Sequence, residues 1–281
     1  MSAKPSLGEV LLGIEGLALL RLAFTGLPTA RQARVEEIRS LVERFNETPE
    51  LSALIDGPEY DLTEGYRLWS ETYDRPLRLF PIEEPIMRKL LDSLRPSVIL
   101  DAACGTGRYS VYLAERGHCV IGVDRSAEML NKARQKGSQA EFCEGDFTAL
   151  PLEGASVDAA VCALALVHQP DIISAVAELA RVVRSGGRII LSDVHPFLIF
   201  LGWQAQFRTV GGDAAFMRLH AHLPSDYCAA FTAAGLRIRS CYEPLLTPAA
   251  AVTLAVDRLP EANRAAFVGL PGVIIWDLEK P

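Results

Sequence analysis

The chain has 281 residues, of which 49% are hydrophobic and 22% are charged, proportions that are ordinary for a soluble globular protein with a sizeable core. Asp and Glu outnumber Lys and Arg by 35 to 28, the formal net charge is −7 and no basic run occurs, so composition gives no support to a nucleic-acid partner. The six cysteines are scattered without a C-x-x-C pair, which favours small buried thiols in a reducing compartment over a disulfide framework.

The first patterned segment is apolar and is expected to form a helix. Between Leu7 and Pro28 the apolar run is interrupted by Glu9, Glu15 and Arg21, charges that are costly inside a bilayer. The segment also lacks the basic region and the cleavage site of a signal peptide. We therefore expect a cytoplasmic protein with no membrane partner. The helix would pack against the rest of the protein or, because its apolar residues extend round most of its surface, against a second subunit in a homodimer formed through the N-terminal helices.

The character of the chain changes near residue 95. Before it, apolar residues recur at three- and four-residue steps, which predicts helices around residues 35–45 and at Pro85–Leu94. After it, short apolar runs alternate with helical patterns. The predicted strands are Val98–Asp101, Cys119–Asp124, Ala140–Glu144, Asp158–Ala163, Arg188–Asp193, Leu236–Tyr242 and Val273–Leu278, and the predicted helices are Tyr109–Arg116, Ala127–Gln135 and Ile172–Val183. This alternation predicts an α/β fold with a mainly parallel sheet covered on both faces.

Three acidic residues follow three successive predicted strands. Asp101 ends the first strand, Asp124 ends the second strand roughly twenty residues later, and Asp146 comes just after the third. Because the carboxyl ends of parallel strands meet at the edge of the sheet where ligands bind, these carboxylates are expected to lie close together. A helix N-cap would explain Asp124 or Asp146 alone, but it is a poor account of all three.

The loop after Asp101 carries Gly105 and Gly107, which allow the backbone to approach a ligand closely. The third glycine of a dinucleotide-binding fingerprint is missing, and the acidic residues around the loop would repel a pyrophosphate. They suit a ligand that carries a ribose, an adenine amine, an ammonium group and a sulfonium. S-adenosyl-L-methionine has these groups, so it is the predicted cofactor.

Five segments in order, LDAACGTGR, VIGVDRSAEML, CEGDFTALP, DAAVCALALVH and LARVVRSGGRIILSDVHP, together resemble the class I methyltransferases. The resemblance is strong over residues 95–195 and loose beyond them, and it implies a Rossmann-like, mainly parallel seven-stranded sheet with helices on both faces. One departure is Ala103, which stands before Cys104 where the commoner pattern has a glycine. Cys104 has no base beside it in the motif, so we interpret it as a packing residue and not as a nucleophile.

The same resemblance implies roles for individual residues. Asp101 would order the ammonium end of the cofactor through water, the backbone from Ala103 would lie against the methionine part, and Asp124 would accept both ribose hydroxyls. Asp146 would accept the adenine amine. The other residues implied at the cofactor site are Gly105, Gly107, Arg125, Met129, Gly145, Phe147 and Ala163.

An aromatic segment, EYDLTEGYRLWSETYD, precedes the predicted sheet. Trp69 and Tyr73 stand four residues apart, on one face of a helix. Their W-x-x-x-Y-D pattern resembles the lid helix of small-molecule methyltransferases, which implies that Tyr73 reaches the methionine carboxylate and that both rings favour a sulfonium. Tyr60 and Tyr66 are interpreted as core residues.

Two of the five histidines follow predicted strands and so lie at the ligand edge. His195 is predicted to line the acceptor pocket and His168 to contact the cofactor side, and both are candidate catalytic residues if the acceptor must lose a proton. The alternative for each is a capping or structural role. His220 and His222 have no third ligand nearby in the sequence, so no metal site is expected.

The connection from Pro196 to Leu223 is too long for a simple loop and resembles the substrate cap of small-molecule methyltransferases. It carries several large aromatic residues, namely Phe197, Phe200, Trp203, Phe207 and Phe216. We therefore expect an N-terminal helical extension and lid over residues 1–94 and a catalytic domain over residues 95–281, with the cap at about 196–223.

An apolar, aromatic cap suits a small hydrophobic or aromatic acceptor of the natural-product type, as in secondary metabolism, methylated on oxygen, nitrogen or carbon. Two other classes stay open. One is an enzyme that uses the same cofactor for a reaction other than methyl transfer, such as a cyclisation or a decarboxylation. The other is a catalytically inactive cofactor-binding partner protein.

Overall fold

The computed structural model describes residues 4–55, 57–75 and 77–281, and they form two compact units. The described residues up to Gly57, together with Leu245–Leu270, form the helical unit. The described residues of Pro58–Pro244, together with Pro271–Pro281, form the sheet unit. The domain boundary expected at residue 94 remains a prediction. The described residues of 58–94 belong to the same compact unit as the sheet.

The helical unit contains α1 (Leu7–Leu22), α2 (Pro28–Arg44), α3 (Pro49–Ser52) and α11 (Pro260–Phe267). A capping box starts α1, because Ser6 accepts from the Glu9 backbone and the Glu9 carboxylate accepts from the Ser6 backbone. Leu11, Ile14 and Ala18 are buried, and α1 packs against the other three helices of the unit. The predicted helix is therefore confirmed. No helix in the described part of the chain is long and apolar enough to cross a membrane.

The charges that interrupt the apolar run of α1 are used within the helical unit. Glu15 is fully buried and accepts a 2.8 Å hydrogen bond from the Arg34 guanidinium, while burial raises the pKa of Glu15 to about 7. Arg21 donates to the carbonyl oxygens of Ala265 and Ala266 at 3.1 and 2.8 Å, near the end of α11. Because these carbonyls have no partner inside the helix, Arg21 acts as a C-terminal cap.

The seven strands of the main sheet follow the order β4-β3-β2-β5-β6-β10-β9. They are β2 (Val98–Ala102), β3 (Cys119–Asp124), β4 (Glu141–Glu144), β5 (Val157–Ala163), β6 (Val183–Val194), β9 (Arg237–Tyr242) and β10 (Val273–Glu279). Neighbours from β4 to β6 pair in parallel, whereas β10 pairs antiparallel with both β6 and β9. The predicted Rossmann-like, mainly parallel seven-stranded sheet is confirmed.

The helices of the sheet unit lie before the first of these strands and between successive strands. They are α4 (Leu62–Trp69), α5 (Phe80–Leu91), α6 (Arg108–Ala114), α7 (Ala127–Gln135), α8 (Ile173–Val182), α9 (Pro196–Phe200) and α10 (Pro224–Ala233). The predictions for β3 and α7 hold to the residue. The helix predicted from Pro85 instead begins at Phe80, because Pro81 occupies the first turn, where no backbone donor is needed, and Pro85 lies inside the helix.

Two of these helices cover opposite faces of the sheet. The Ser192 hydroxyl on β6 donates a 2.7 Å hydrogen bond to Glu83 of α5. The preceding residue, Leu191, belongs to the hydrophobic core that includes Val176 and Leu179 of α8. Because successive side chains of a strand point to opposite faces, α5 and α8 lie on different sides of the sheet.

A second, three-stranded sheet lies within the sheet unit. Its strands are β1 (Glu59–Tyr60), β7 (Ala205–Arg208) and β8 (Ala214–Met217), in the order β1-β8-β7. Strand β8 pairs antiparallel with β7 and parallel with β1. Two strands of the predicted cap insertion therefore belong to this sheet, and β8 pairs with β1 in the aromatic segment that precedes α4. Sequence patterning missed this sheet, because strands of two to four residues carry too little periodicity.

Candidate functional site

The loop after β2 is held by the aspartate at the end of β3. The Gly105 N–H donates to Asp124 Oδ2 at 2.7 Å, and the Ser126 N–H donates to Oδ1 at 2.9 Å. Burial raises the pKa of Asp124, and these backbone hydrogen bonds oppose that rise. The Asp124 carboxylate thereby joins the loop after β2 to the end of β3.

This loop turns through left-handed residues at Ala103, Gly105 and Gly107. Gly105 has a φ of 54° and Ala103 has a φ of 53°, a conformation that residues with a side chain rarely adopt. Ala103 is the position at which the family pattern has a glycine. The structure therefore accommodates the departure from that pattern with backbone strain at the ligand edge.

A cavity, which we name the strand-end cavity, opens beside this loop at the carboxyl edge of the sheet. Its empty volume is about 560 Å³, including its open mouth. Its lining residues are Leu62, Tyr66, Tyr73, Ala103, Gly105, Asp124, Arg125, Met129, Gly145, Phe147, Ala163, Leu164, Ala165, His168 and Gln169. Ten residues that the sequence predicts at the cofactor site are among them.

Besides Trp69, three predicted cofactor residues are not part of this lining. Asp101 lies beneath the loop, where the Ser110 hydroxyl donates to it at 2.6 Å and burial raises its pKa to about 7. Asp146 accepts from the Thr148 backbone and hydroxyl at 2.8 and 2.7 Å. Gly107 is the N-cap of α6, with a φ of 78°. Asp101 and Asp146 therefore accept hydrogen bonds from residues a short way along the chain, partners that their positions at strand ends did not reveal.

A second cavity, which we name the aromatic cavity, adjoins the first and has an empty volume of about 690 Å³, including its open mouth. Its lining residues are Tyr66, Trp69, Tyr73, Leu77, Arg78, Leu79, Phe80, Leu164, Val167, His168, Val194, Trp203, Gln204, Ala205, Gln206 and Leu219. Tyr66, Tyr73, Leu164 and His168 line both cavities and form a shared wall. The predicted cofactor residue Trp69 lines only this second cavity.

A tyrosine and a histidine are hydrogen-bonded in the shared wall. The Tyr66 hydroxyl lies 2.7 Å from His168 Nε2, and His168 Nδ1 is buried without a hydrogen-bond partner among the described residues. Burial, followed by the charge of His220, lowers the pKa of His168 to about 4. Burial also raises the pKa of Tyr66. At neutral pH the pair is therefore a neutral imidazole and a protonated phenol.

The other two residues of the shared wall are Leu164, which has a strained backbone, and Tyr73, whose ring contacts another ring. Leu164 has a φ of 56°, and its N–H donates to the Ser192 carbonyl at 2.7 Å. Tyr73 lies in the turns after α4 and not on the predicted helix face, because α4 ends at Trp69. The Tyr73 and Trp69 ring centroids are nevertheless 4.9 Å apart, and burial raises the pKa of Tyr73 to about 12.

His195 lies outside the lining of both cavities, contrary to its predicted place in the acceptor pocket. Its Nδ1 accepts from the Phe197 N–H at 3.2 Å as the N-cap of α9, and its Nε2 lies 3.0 Å from Glu243 Oε1. The capping alternative describes these contacts, because the ring is turned towards its own helix and towards Glu243.

The aromatic residues of the predicted cap also differ in where they lie. Trp203 lines the aromatic cavity, whereas Phe207 is buried and stacks on Trp69 with ring centroids 5.3 Å apart. Phe197 and Phe200 are exposed. The aromatic composition of the segment therefore predicted an aromatic wall but not which ring would form it.

Sequence reasoning missed several residues of the site, among them Tyr66, Leu164 and Arg78. Tyr66 stands three residues before Trp69 and seven before Tyr73, a helical spacing that offered a signal for a shared surface. Leu164 and Arg78 offered none. A strained leucine and a single arginine have no local pattern that distinguishes them from ordinary residues of a loop.

Comparisons with known proteins agree with this geometry. Residues 100–191 match the family model described as "Methyltransferase domain". The chain is 35% identical to the demethylmenaquinone methyltransferase of Deinococcus radiodurans over 145 residues, covering 50% of this chain and 57% of that protein. It is 34% identical to the malonyl-[acyl-carrier protein] O-methyltransferase of Hamiltonella defensa over 106 residues, covering 38% and 41%. The chain thus spans about half the length of these curated relatives.

A solved structure shares the fold. An S-adenosylmethionine dependent methyltransferase from Mesorhizobium loti superposes with a TM-score of 0.55 at 21% identity, covering 70% of this chain and 97% of that one. The likeness concerns the arrangement of strands and helices.

Proposed function

We propose that the chain, whose residues 100–191 match a methyltransferase domain, is a class I S-adenosylmethionine-dependent methyltransferase that methylates a small apolar acceptor with S-adenosylmethionine as cofactor. The observation that carries this proposal is the shared wall. A cofactor in the strand-end cavity and an acceptor in the aromatic cavity would both touch Tyr66, Tyr73, Leu164 and His168. Such contact between two ligands is what a direct group transfer requires.

The residues of the strand-end cavity fit this cofactor. A Cβ added at Gly105 would meet no atom nearer than the Tyr73 ring at 3.9 Å, so the glycine leaves space for a ligand against the backbone. Each Asp124 oxygen already accepts one backbone N–H, and an ionised carboxylate keeps further lone pairs for ribose hydroxyls. Met129 and Phe147 offer apolar surface for the adenine. The Asp101 and Asp146 roles implied by the resemblance remain part of the proposal.

When bound, S-adenosylmethionine supplies a methyl group activated by the positive charge on its sulfur. The chain then has two tasks. The aromatic rings of the shared wall hold the acceptor in line and exclude water. The neutral His168, hydrogen-bonded to Tyr66, is in the protonation state that a general base needs if the acceptor must lose a proton. The segment before the sheet, which supplies Tyr66 and Tyr73, would act as the lid.

The aromatic cavity favours a hydrophobic or aromatic acceptor of the natural-product type. Two relatives, a demethylmenaquinone methyltransferase and a malonyl-[acyl-carrier protein] O-methyltransferase, are named for acceptors that are not nucleic acids. A role in secondary metabolism would follow from such an acceptor.

The test uses purified protein and cofactor labelled in the methyl group. Calorimetry should give micromolar-range binding of S-adenosylmethionine and S-adenosylhomocysteine, as expected for a preformed small-ligand site. Incubation with small-molecule extracts of the native host should then transfer label to a compound. Conversion of a compound without transfer of label would support a cyclisation or another reaction, and absence of cofactor binding would contradict the proposal.

A homodimer through the N-terminal helices is a second part of the proposal. Leu20, Phe24 and Leu27 expose 67%, 97% and 72% of their surface around the turn from α1 to α2. Covering such residues is a common reason for subunits to associate. Phe24→Glu should shift light scattering from dimer mass to monomer mass, whereas Val210→Glu, which replaces an exposed residue of the sheet unit, should not. Monomer mass for the unaltered chain would contradict the homodimer.

A further inference from the structure

Asp74 connects the turns after α4 to the loop after β2. The Thr106 hydroxyl donates a 2.6 Å hydrogen bond to Asp74 Oδ1, and Thr106 is buried. The Lys136 ammonium, at the end of α7, donates to the same Asp74 oxygen at 2.9 Å and to the Thr106 hydroxyl oxygen at 3.1 Å. We name these three residues the Asp74 cluster. Because they come from three separate segments, their bonds hold those segments together.

Two members of the Asp74 cluster are chain neighbours of residues that line the strand-end cavity. Tyr73 precedes Asp74, and Gly105 precedes Thr106. The Tyr73 ring lies 3.9 Å from the position that a Cβ on Gly105 would occupy. The bonds of the cluster therefore keep Tyr73 beside the backbone against which the proposed cofactor would lie.

A second ion pair joins the same two elements. The Lys132 ammonium lies 2.8 Å from Glu71 Oε2. Lys132 stands four residues before Lys136 and three residues after Met129, which lines the strand-end cavity. Residues at this spacing share one face of a helix. The face of α7 that reaches the cavity thus also carries two lysines, and the turns after α4 supply an acid to each of them.

These contacts are suited to positioning more than to global stability. The side chains of Glu71 and Asp74 are 54% and 52% exposed, and ion pairs at such exposure contribute little to the free energy of unfolding. The same small contribution changes the rate at which two segments separate. A ligand that lies between the segments is released when they do.

We propose that Asp74 is a positioning residue that holds Tyr73 against the loop at Gly105, through Thr106 and Lys136, and thereby slows release of the cofactor. The inference rests on the proposed function in one respect, since it takes the strand-end cavity as the cofactor site. Asp74 lines neither cavity and acts through its neighbours. Because Tyr73 lines both cavities, the same bonds fix part of the shared wall.

The experiment measures how fast labelled S-adenosylhomocysteine leaves the full chain when an excess of unlabelled compound is added. The variants are Asp74→Ala, Asp74→Asn, Thr106→Val and Thr106→Ser. Glu64→Gln is the matched control, because Glu64 is an exposed acid of α4 whose ion-pair partner, Arg67, belongs to the same helix. Equilibrium affinity, melting temperature and, in the free protein, amide hydrogen exchange over residues 70–75 are measured on every variant.

Asp74→Ala should raise the release rate about tenfold, because it removes the acceptor of two hydrogen bonds from one carboxylate. Asp74→Asn should raise it less, since an amide oxygen still accepts from Thr106 but lacks the charge that attracts Lys136. Thr106→Val should also speed release, whereas Thr106→Ser, which keeps the hydroxyl, should stay within about twofold of the unaltered protein.

A structural role alone would not produce this pattern. Amide exchange over residues 70–75 of the free protein should accelerate in Asp74→Ala, while the melting temperature of that variant stays within about 2 °C of the unaltered protein. Glu64→Gln should match the unaltered protein in release and in exchange.

Release rates within about twofold of the unaltered protein in both Asp74→Ala and Thr106→Val would overturn the inference. So would faster release in Glu64→Gln equal to that in Asp74→Ala, or a fall in melting temperature that parallels the release rate across the variants. Failure of the proposed function is distinguishable, because it would be seen as absent S-adenosylhomocysteine binding in the unaltered protein. That result would overturn the role of Asp74 in cofactor release as well, whereas binding with unchanged release rates overturns the role of Asp74 alone.

Discussion

The strand-end cavity and the aromatic cavity share a wall but are assembled in different ways. Most of the strand-end lining comes from loops that directly follow strands, between residues 103 and 169. The aromatic lining comes from three distant stretches, residues 66–80, 164–168 and 194–219. The first cavity is therefore determined mainly by local strand-to-helix turns, and the second by how separate segments pack. Outside the shared wall, a substitution that alters one cavity therefore leaves the lining of the other unchanged.

The largest expected effect comes from substituting residues of the shared wall. His168→Gln should lower turnover by about two orders of magnitude for an acceptor that must lose a proton, because it removes the neutral imidazole between the cavities. Tyr66→Phe should lower turnover less, since the ring stays in place and only the hydroxyl partner of His168 is lost. Steady-state kinetics with the acceptor found by labelling, at saturating cofactor, measures both.

His195 provides the comparison for that experiment. Because its ring bonds to α9 and to Glu243 and lines neither cavity, His195→Gln should keep turnover within about threefold of the unaltered enzyme, a loss in the range of positioning effects. A loss in His195→Gln equal to that in His168→Gln would mean that the sequence-based prediction for His195 describes the working enzyme better than these contacts do.

The buried imidazole should also make stability depend on pH. His168 has an ordinary pKa of 6.5 when unfolded and a pKa of about 4 when folded. Between these values the unfolded state binds a proton that the folded state does not, so the free energy of unfolding falls as the pH drops. The contribution is complete above pH 6.5 and lost towards pH 4, by at most about 3 kcal/mol.

Denaturant unfolding at several pH values measures this effect as the difference between the unaltered protein and His168→Gln. The difference matters because Asp101 and Asp193, whose pKa values burial raises to about 7, contribute the opposite slope in both proteins. A difference that does not change between pH 7 and pH 4 would show that His168 is as easily protonated in the folded state as in the unfolded state.

The next effect tests whether the strand-end cavity binds the cofactor. Asp124→Asn should weaken S-adenosylmethionine binding by about 1.5–3 kcal/mol, because it removes the charge that ribose hydroxyls would bond to and alters the contact with Gly105. Acceptor affinity should change little. Asp213→Asn, which alters an exposed carboxylate on the β7–β8 turn, is the matched control for calorimetry. Unchanged cofactor affinity in Asp124→Asn would remove Asp124 from the site.

The difference between the cavities also explains what the sequence could predict. Strand ends followed by glycine or aspartate define the strand-end cavity locally, so Gly105 and Asp124 were found from their spacing, whereas Phe147 was implied by the family resemblance. Asp101 and Asp146 have the same spacing, but Ser110 and Thr148 donate to their carboxylates. A linear pattern gives the position of a carboxylate on a strand but not its hydrogen-bond partner.

The lining of the aromatic cavity, by contrast, was mostly not predicted from the sequence. Tyr66 was interpreted as core, and Arg78 was not identified at all. Their place depends on a small sheet in which β1 pairs with β8, more than 150 residues further along the chain. Pairings of that length leave no periodic signal in the sequence, because each segment is irregular when considered alone.

The smallest expected effect separates the two rings of the predicted cap. Trp203→Ala should weaken acceptor binding by about 1 kcal/mol, since it removes one apolar wall of the aromatic cavity and a ring against Arg78. Phe207→Ala should instead lower the melting temperature, because Phe207 is buried against Trp69 and lines neither cavity. Cofactor titration, acceptor kinetics and thermal unfolding on both variants distinguish the two roles, with the exposed Phe200→Ala as control. Equal losses of acceptor affinity in Trp203→Ala and Phe207→Ala, at unchanged melting temperature, would place both rings in the acceptor site and would favour the original prediction from composition over the packing described here.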